Sequence, residues 1–283
     1  MICKILRTLT IFNRCLSAQF KNAIGDAEKL VSGDFLGLRC LLNDDFVAIG
    51  PLLKQISTNQ HPLRSALKNT IHCEHSLSGI HPHSLFILLI SRLLESKLNI
   101  TGEEVEVRSH QFAEMAEMIY LAGSIHRTIQ NVTNIEDIEL REKFQNANKV
   151  AVLIGDYLFA QVNAIAAATN SVDTVASVSA AISEISRGVF LEEDLHSSSL
   201  SLDEKIDKWK LVSDFTFGSP LGNLASAMGF LAGASKYLQE ACFSLARNLA
   251  LSYHINCMGD RSFQLISLQR LVSESLYPDV EPI

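Results

Sequence analysis

The sequence predicts an all-α fold, and three observations support that prediction. No Asn-Gly or Asp-Gly dipeptide of the kind that closes a β-hairpin occurs in the chain. Glycine and proline number only 14 and 6 among 283 residues, which suits long uninterrupted helices. Apolar residues also recur at helical spacing, most clearly at Phe112, Met115, Ile119, Ala122, Ile125 and Ile129. We therefore expect roughly eight to ten helices packed as a single domain over residues 26–283.

The first 25 residues differ from the rest of the chain. The stretch "MICKILRTLTIFNRCLSAQFKNAIG" contains four basic residues and no acidic one, and Asp26 is the first acid. On a helix, the basic side chains fall on one face and nearly all of the large apolar ones on the other, with Ile11 as the exception. A basic, acid-free amphipathic start is typical of mitochondrial transit peptides. We predict that residues 1–25 form one; an ordinary first helix is the alternative.

Two apolar runs are expected to lie inside the bundle. Residues 85–94, "LFILLISRLL", and 150–168, "VAVLIGDYLFAQVNAIAAA", are apolar on nearly all sides. The second run is about as long as a bilayer span, but Asp156 interrupts it, and a carboxylate in mid-bilayer is costly. The run therefore predicts a central bundle helix and no transmembrane segment.

Turn-forming and helix-capping residues along the chain predict where the helices begin and end. Breaks are predicted at 56–62, 78–83, 131–137 and 194–201. Ser201 and Glu204 have the spacing of a capping box, so a helix should begin there. Gly218, Pro220 and Gly222 should bend or interrupt the chain before another apolar helix.

Composition and charge narrow the function. A formal charge of −7 argues against general nucleic-acid binding. The six cysteines form no CxxC pair, which favours reduced thiols over a zinc or disulfide framework. A short stretch with no standard zinc spacing predicts a polar loop, with a metal site as the alternative; its residues are His72, Cys73, Glu74, His75, His81 and His83.

Two neighbouring stretches resemble the trans-prenyltransferases, or polyprenyl diphosphate synthases. The stretch "NKVAVLIGDYLFAQV" at 148–162 matches that family's K-x-x-x-L-x-G-D-x-L helix, and "AEMAEMIYLAGSIHRTIQN" at 113–131 matches the helix with its first aspartate-rich motif. Shorter stretches, "LGLRCLL", "QHPLRSA", "KWK" and "SYHIN", resemble the second, divergent subunit of decaprenyl diphosphate synthases. The resemblance covers about residues 26–260 and implies an isoprenoid-synthase-like helical bundle.

In the family, aspartates of the first motif hold magnesium ions that bind the allylic diphosphate, because Mg²⁺ requires hard oxygen ligands. The matching positions here hold Arg127, Thr128 and Asn131, and His126 before them is retained. The aspartates of the second motif match Ile255, Asn256 and Gly259. The resemblance thus implies two degenerate metal-binding motifs and no metal held by this chain.

The diphosphate-binding parts are also altered. The family's basic stretch G-K-R-x-R-P matches "QHPLRS", in which Arg64 alone survives as a possible diphosphate contact. His61 and Pro62 replace the lysine and the first arginine. Tyr120 replaces a substrate-contacting histidine, and the Lys-Thr-Ala motif matches 217–219, which begins with Phe217.

The resemblance implies a non-catalytic subunit of a heteromeric long-chain all-trans-polyprenyl diphosphate synthase that supplies the ubiquinone side chain in mitochondria. A catalytic subunit would join it in a hetero-oligomer, such as a heterotetramer, and would contribute the aspartates, the Mg²⁺ and both substrates. The expected partner interface comprises Met115, Ile119 and Ala122 together with the 150–168 helix. The alternative is a stand-alone isoprenoid- or lipid-diphosphate-binding protein that uses Arg64 and Arg127. Because the family continues well beyond its second motif, we also expect a bundle shortened at the C-terminus.

Overall fold

The computed structural model describes residues 22, 26, 61–63, 82–195 and 201–258, with the backbone alone for 193–195, 202 and 256–258. These residues form seven α-helices and one π-helical turn and include no strand, which confirms the all-α prediction. The helices are α1 Pro82–Leu98, α2 Glu103–His126, α3 Ile138–Ala168, α4 Val172–Leu195, α5 Leu202–Ser213, α6 Ser219–Leu231 and α7 Lys236–Met258, and the π-helical turn is Asp214–Gly218.

Helix α2 lies at the centre of the bundle and packs against α1, α3, α4 and α6. Its apolar positions from Phe112 to Ile125 are buried, as their helical spacing predicts, and only Ile129 beyond the helix end is exposed. Glu117 of α2 supports the start of α1, because its carboxylate accepts hydrogen bonds from the amide and hydroxyl of Ser84, both at 2.8 Å. That contact stabilises free amide groups at the α1 N-terminus.

The buried run of α1 is confirmed: within 85–94, Arg92 and Leu93 are the exposed positions. Helix α3 is different. Its face with Ala151, Ile154 and Leu158 is buried, whereas Val152 is 40% exposed and Leu153 52% exposed. The prediction that 150–168 is buried on all sides is therefore wrong, because only one face of α3 packs against neighbouring helices.

Among the described helices, α3 is the one whose length and composition would allow it to cross a membrane. It begins at Asp137, whose side chain accepts a hydrogen bond from the amide of Leu140 at 3.1 Å. It packs against α2 and α4 along its buried face, as a core helix of a bundle does.

The predicted helix boundaries can be compared with the described segments. Ser201 and Glu204 form the capping box at the start of α5, with the Ser201 amide 2.8 Å from the Glu204 carboxylate. The chain leaves α2 in a loop over 127–137, near the predicted break. Gly218 ends the π-helical turn, and α6 follows directly with Ser219 and Pro220, so the chain stays helical where an interruption was predicted.

Candidate functional site

The first degenerate motif lies where α2 ends. Arg127 terminates α2, and its guanidinium points toward α4 and the π-helical turn, 3.2 Å from the Glu192 carboxylate and 3.0 Å from the Thr216 hydroxyl. The same guanidinium lies over the ring of Phe217, 5.6 Å from its centroid. Burial lowers the pKa of Arg127, and Glu192 acts in the opposite direction. A cation therefore occupies the position that the family gives to a metal-binding carboxylate.

The other two positions of this motif make local contacts. The Thr128 hydroxyl is buried and donates to the carbonyl of Ile125 at 2.6 Å. The Asn131 side chain is exposed and accepts hydrogen bonds from the amide and hydroxyl of Thr133, at 3.0 and 2.7 Å. Neither side chain converges with Arg127 on a common point.

The second degenerate motif lies near the C-terminal end of α7. Ile255 is half-buried there and the Asn256 backbone is helical, whereas Gly259 lies outside the described residues. Directly before them, the ring of His254 stacks on Phe217 with a centroid distance of 3.4 Å. Burial, with Arg127 and His83 as further causes, lowers the pKa of His254 to about 4. Phe217 thus contacts both Arg127 and His254, the residue directly before the second predicted motif.

Tyr120 of α2 lies next to Phe217. Its hydroxyl donates to the Phe217 carbonyl, and its ring stacks on that of His83 at 3.7 Å. Burial raises the pKa of Tyr120 well above its usual range, so the phenol stays protonated and remains a donor. His83 belongs to α1, and the other members of the predicted histidine-rich loop lie outside the described residues.

In the stretch that matches the family's basic motif, His61 stands in place of the lysine. His61 is only 1% exposed; its Nδ1 accepts a hydrogen bond from the Leu63 amide at 3.1 Å, and its Nε2 lies 2.9 Å from the Asn148 carbonyl oxygen. Asn148 also binds the backbone of Gln130 through two hydrogen bonds, at 2.9 and 2.8 Å. Asn148 of α3 therefore holds the loop after α2, and His61 contacts the same side chain. Arg64 lies outside the described residues.

The described residues do not suit a magnesium ion at the first motif. An arginine, a buried threonine and an asparagine engaged by its own loop offer no carboxylate, and Mg²⁺ needs several oxygen ligands in octahedral geometry. No group of three or more His, Cys, Asp or Glu side chains in the described segments has a metal-binding arrangement.

Two contacts at this site were not identified from the sequence. Glu192 and Thr216 belong to α4 and the π-helical turn, and only the folded structure brings them to Arg127. The close approach of these two elements is visible at Gly188, where a Cβ atom would lie 2.4 Å from the Thr216 hydroxyl. Glycine at this position is a local signal of such an approach, but it does not identify the partner.

The predicted interface residues lie inside the chain. Met115, Ile119 and Ala122 are all 0% exposed and belong to the core that α2 forms with neighbouring helices. Their apolar spacing is explained by that core alone. Their assignment to a partner interface stays a prediction, and it would require the chain to open.

The fold is that of a trans-prenyltransferase-like chain. The solved decaprenyl diphosphate synthase from Rhodobacter capsulatus superimposes with a TM-score of 0.56 at 18% identity, over 82% of this chain and 64% of that one, which establishes the isoprenoid-synthase-like fold. No family model matches the chain.

Curated relatives confirm the resemblance to this family and to its divergent subunits. Over 252 residues the chain is 28% identical to the human all trans-polyprenyl-diphosphate synthase PDSS2, covering 84% of this chain and 62% of that protein. It is 24% identical over 199 residues to the decaprenyl-diphosphate synthase of Dictyostelium discoideum, with 70% and 40% of the two chains covered. The chain thus spans about 62% of the length of the PDSS2 proteins that it matches.

Proposed function

We propose that this chain is the non-catalytic subunit of a heteromeric long-chain all-trans-polyprenyl diphosphate synthase. The observation that carries the proposal is the position of Arg127, which is paired with Glu192 where the family holds a metal-binding aspartate. Ionisation of an allylic diphosphate requires neutralisation of the leaving group, and magnesium supplies it in this family. A chain with neither set of aspartates needs a catalytic subunit to supply them, together with the Mg²⁺ and both substrates.

The exposed face of α3 is the surface that we assign to this partner. Val152 and Leu153 are 40% and 52% exposed, and Ala160, Ala164 and Ala167 continue the same outer side of the helix. Small apolar residues allow two helices to approach closely, and exposed apolar residues with polar ones among them, here Asp156 and Asn163, occur in subunit interfaces. This assignment keeps the 150–168 helix in the predicted interface and moves the contact from the buried side of α2 to the outer side of α3.

The wider role follows from the resemblance. The complex would form the side chain of ubiquinone in mitochondria as a hetero-oligomer, and a heterotetramer is the expected form. Apart from residue 22, the predicted transit peptide over 1–25 lies outside the described residues. The alternative, a stand-alone binder of isoprenoid diphosphates, would use Arg64 and Arg127; Arg64 lies outside the described residues, and Arg127 already pairs with Glu192.

Co-expression tests the proposal. The full chain is tagged, expressed with an untagged catalytic polyprenyl diphosphate synthase subunit and purified through the tag. We expect the two proteins to co-purify and the complex to make long-chain product from allylic and isopentenyl diphosphate with Mg²⁺. If the tagged chain emerges alone and instead binds an isoprenoid diphosphate with a measurable affinity, the stand-alone alternative replaces the proposal.

A further inference from the structure

The region where α2, α4 and the π-helical turn meet contains carboxylates that already have hydrogen-bond or ion-pair partners within the chain. Asp214 accepts a hydrogen bond from Arg247 at 2.6 Å, and Glu184 accepts one from the Asn223 amide at 2.9 Å. Glu192 pairs with Arg127 at 3.2 Å. A carboxylate that already has a cationic or amide partner gains less from a metal ion, because it must give up that partner first. These acids therefore do not form an open metal site.

Arg127 connects three elements. It ends α2, its guanidinium pairs with Glu192 on α4, and the same terminal nitrogen donates to Thr216 of the π-helical turn. The Arg127 side chain is 27% exposed and that of Glu192 47%, whereas Thr216 is only 2% exposed. An arginine with a charged and a neutral acceptor can fix two neighbouring elements at once, since its donors form a rigid planar fork.

Aromatic rings occupy the space beside this arginine. Phe217 lies under the guanidinium and is stacked on His254, while Tyr120 donates to the Phe217 carbonyl and is stacked on His83. The stacked pairs join α1, α2 and α7 to the π-helical turn. Side chains of the chain itself therefore occupy the space beside Arg127.

We propose that Arg127 is an internal cation that takes the place of a metal ion, so that α2, α4 and the π-helical turn are held together without a ligand. We refer to Arg127, Glu192 and Thr216 as the Arg127 cluster. The inference rests on the proposed non-catalytic role and adds a structural purpose for the altered motif.

A double-mutant cycle tests the cluster. Melting temperatures are measured for the full chain and for Arg127→Met, Glu192→Gln and the double variant, beside a second cycle on Arg92→Met and Glu95→Gln, a pair within one helix whose charged atoms lie 3.0 Å apart. We expect Arg127→Met to lower the melting temperature by about 3–6 °C and the Arg92 change by less than about 2 °C. The double variant at the cluster should lose clearly less than the sum of its single changes.

The melting temperature of the unmodified chain with and without a ligand is a second test, which does not depend on how any variant folds. Inorganic pyrophosphate with Mg²⁺ should leave its melting temperature unchanged, because the Arg127 cluster needs no ligand. The inference is overturned if pyrophosphate and Mg²⁺ stabilise the unmodified chain, or if the Arg127 cycle shows no more coupling than the Arg92 cycle. Neither result depends on prenyl transfer or on partner capture, which are the readouts that test the proposed function.

Discussion

The imidazole of His126 occupies the space in which a side chain at position 155 would lie. A Cβ atom built on Gly155 would be 2.1 Å from Nε2 of His126 and less than 3 Å from two carbons of the same ring. The ring also lies 3.5 Å from the Asp156 carboxylate and packs edge-on against Phe159. The Gly-Asp pair of α3 is thus the surface that receives the retained histidine of α2.

We expect Gly155→Ala to destabilise the protein by about 1–3 kcal/mol, because the methyl group must displace the His126 ring. In a His126→Ala background the same change should be neutral or stabilising by about 0.5–1 kcal/mol, since alanine favours a helix over glycine. Urea unfolding of the four proteins measures both effects.

Gly229→Ala in α6 is the matched control for this prediction. A Cβ atom there would meet its nearest neighbour at 3.6 Å, an ordinary contact. The control should therefore be neutral or slightly stabilising. An equal loss of stability at both glycines would show that the contact between His126 and Gly155 has no special role.

His254 predicts a pH dependence of stability. Its pKa is lowered to about 4 in the folded chain, against about 6.5 when unfolded, so between these values the unfolded state binds the extra proton. Stability should therefore fall as the pH is lowered from 6.5 towards 4. Relative to His254→Phe, which keeps an aromatic ring against Phe217 but cannot titrate, the unmodified chain should lose about 2 kcal/mol between pH 7 and pH 5. Parallel pH curves for the two proteins in chemical denaturation would refute the buried neutral histidine.

The outer face of α3 predicts which exposed leucine a partner contacts. Leu153→Asp should abolish co-purification with the catalytic subunit, because it places a charge in an apolar interface. Leu93→Asp on α1 is the control, since Leu93 is 57% exposed and Leu153 52%. Circular dichroism should show both variants folded, as neither side chain is buried in the chain. Equal capture of the two variants would move the interface away from α3.

Restoring the family's aspartates should not restore a metal site. With Arg127→Asp, Thr128→Asp and Asn131→Asp combined, the first new carboxylate would face Glu192, and positions 255 and 256 would still supply no acid. We expect no saturable Mg²⁺ binding in isothermal titration and a lower melting temperature. Tight, stoichiometric Mg²⁺ binding by this variant would mean that this site is still built for metal.

The sequence predicted features that depend on neighbouring residues and missed those that depend on distant ones. The capping box of Ser201 and Glu204 needs only residues three apart, and the helical spacing around Phe112 and Ile119 shows which face is apolar. Periodicity does not say whether such a face packs inside the chain or against a partner, so it could not place Ile119 in the core. The contact of Arg127 with Glu192 joins helices distant in sequence, and no local pattern marks it.

The central claim is that this chain does not catalyse prenyl transfer, and turnover by the isolated chain tests it most directly. The protein is purified from a source that lacks other prenyltransferases and incubated with allylic diphosphate, labelled isopentenyl diphosphate and Mg²⁺. We predict no labelled prenyl product above a control without protein, because the motif positions Arg127, Thr128 and Asn131 provide no carboxylate for the metal. Product that increases in proportion to the amount of the isolated chain would contradict the account.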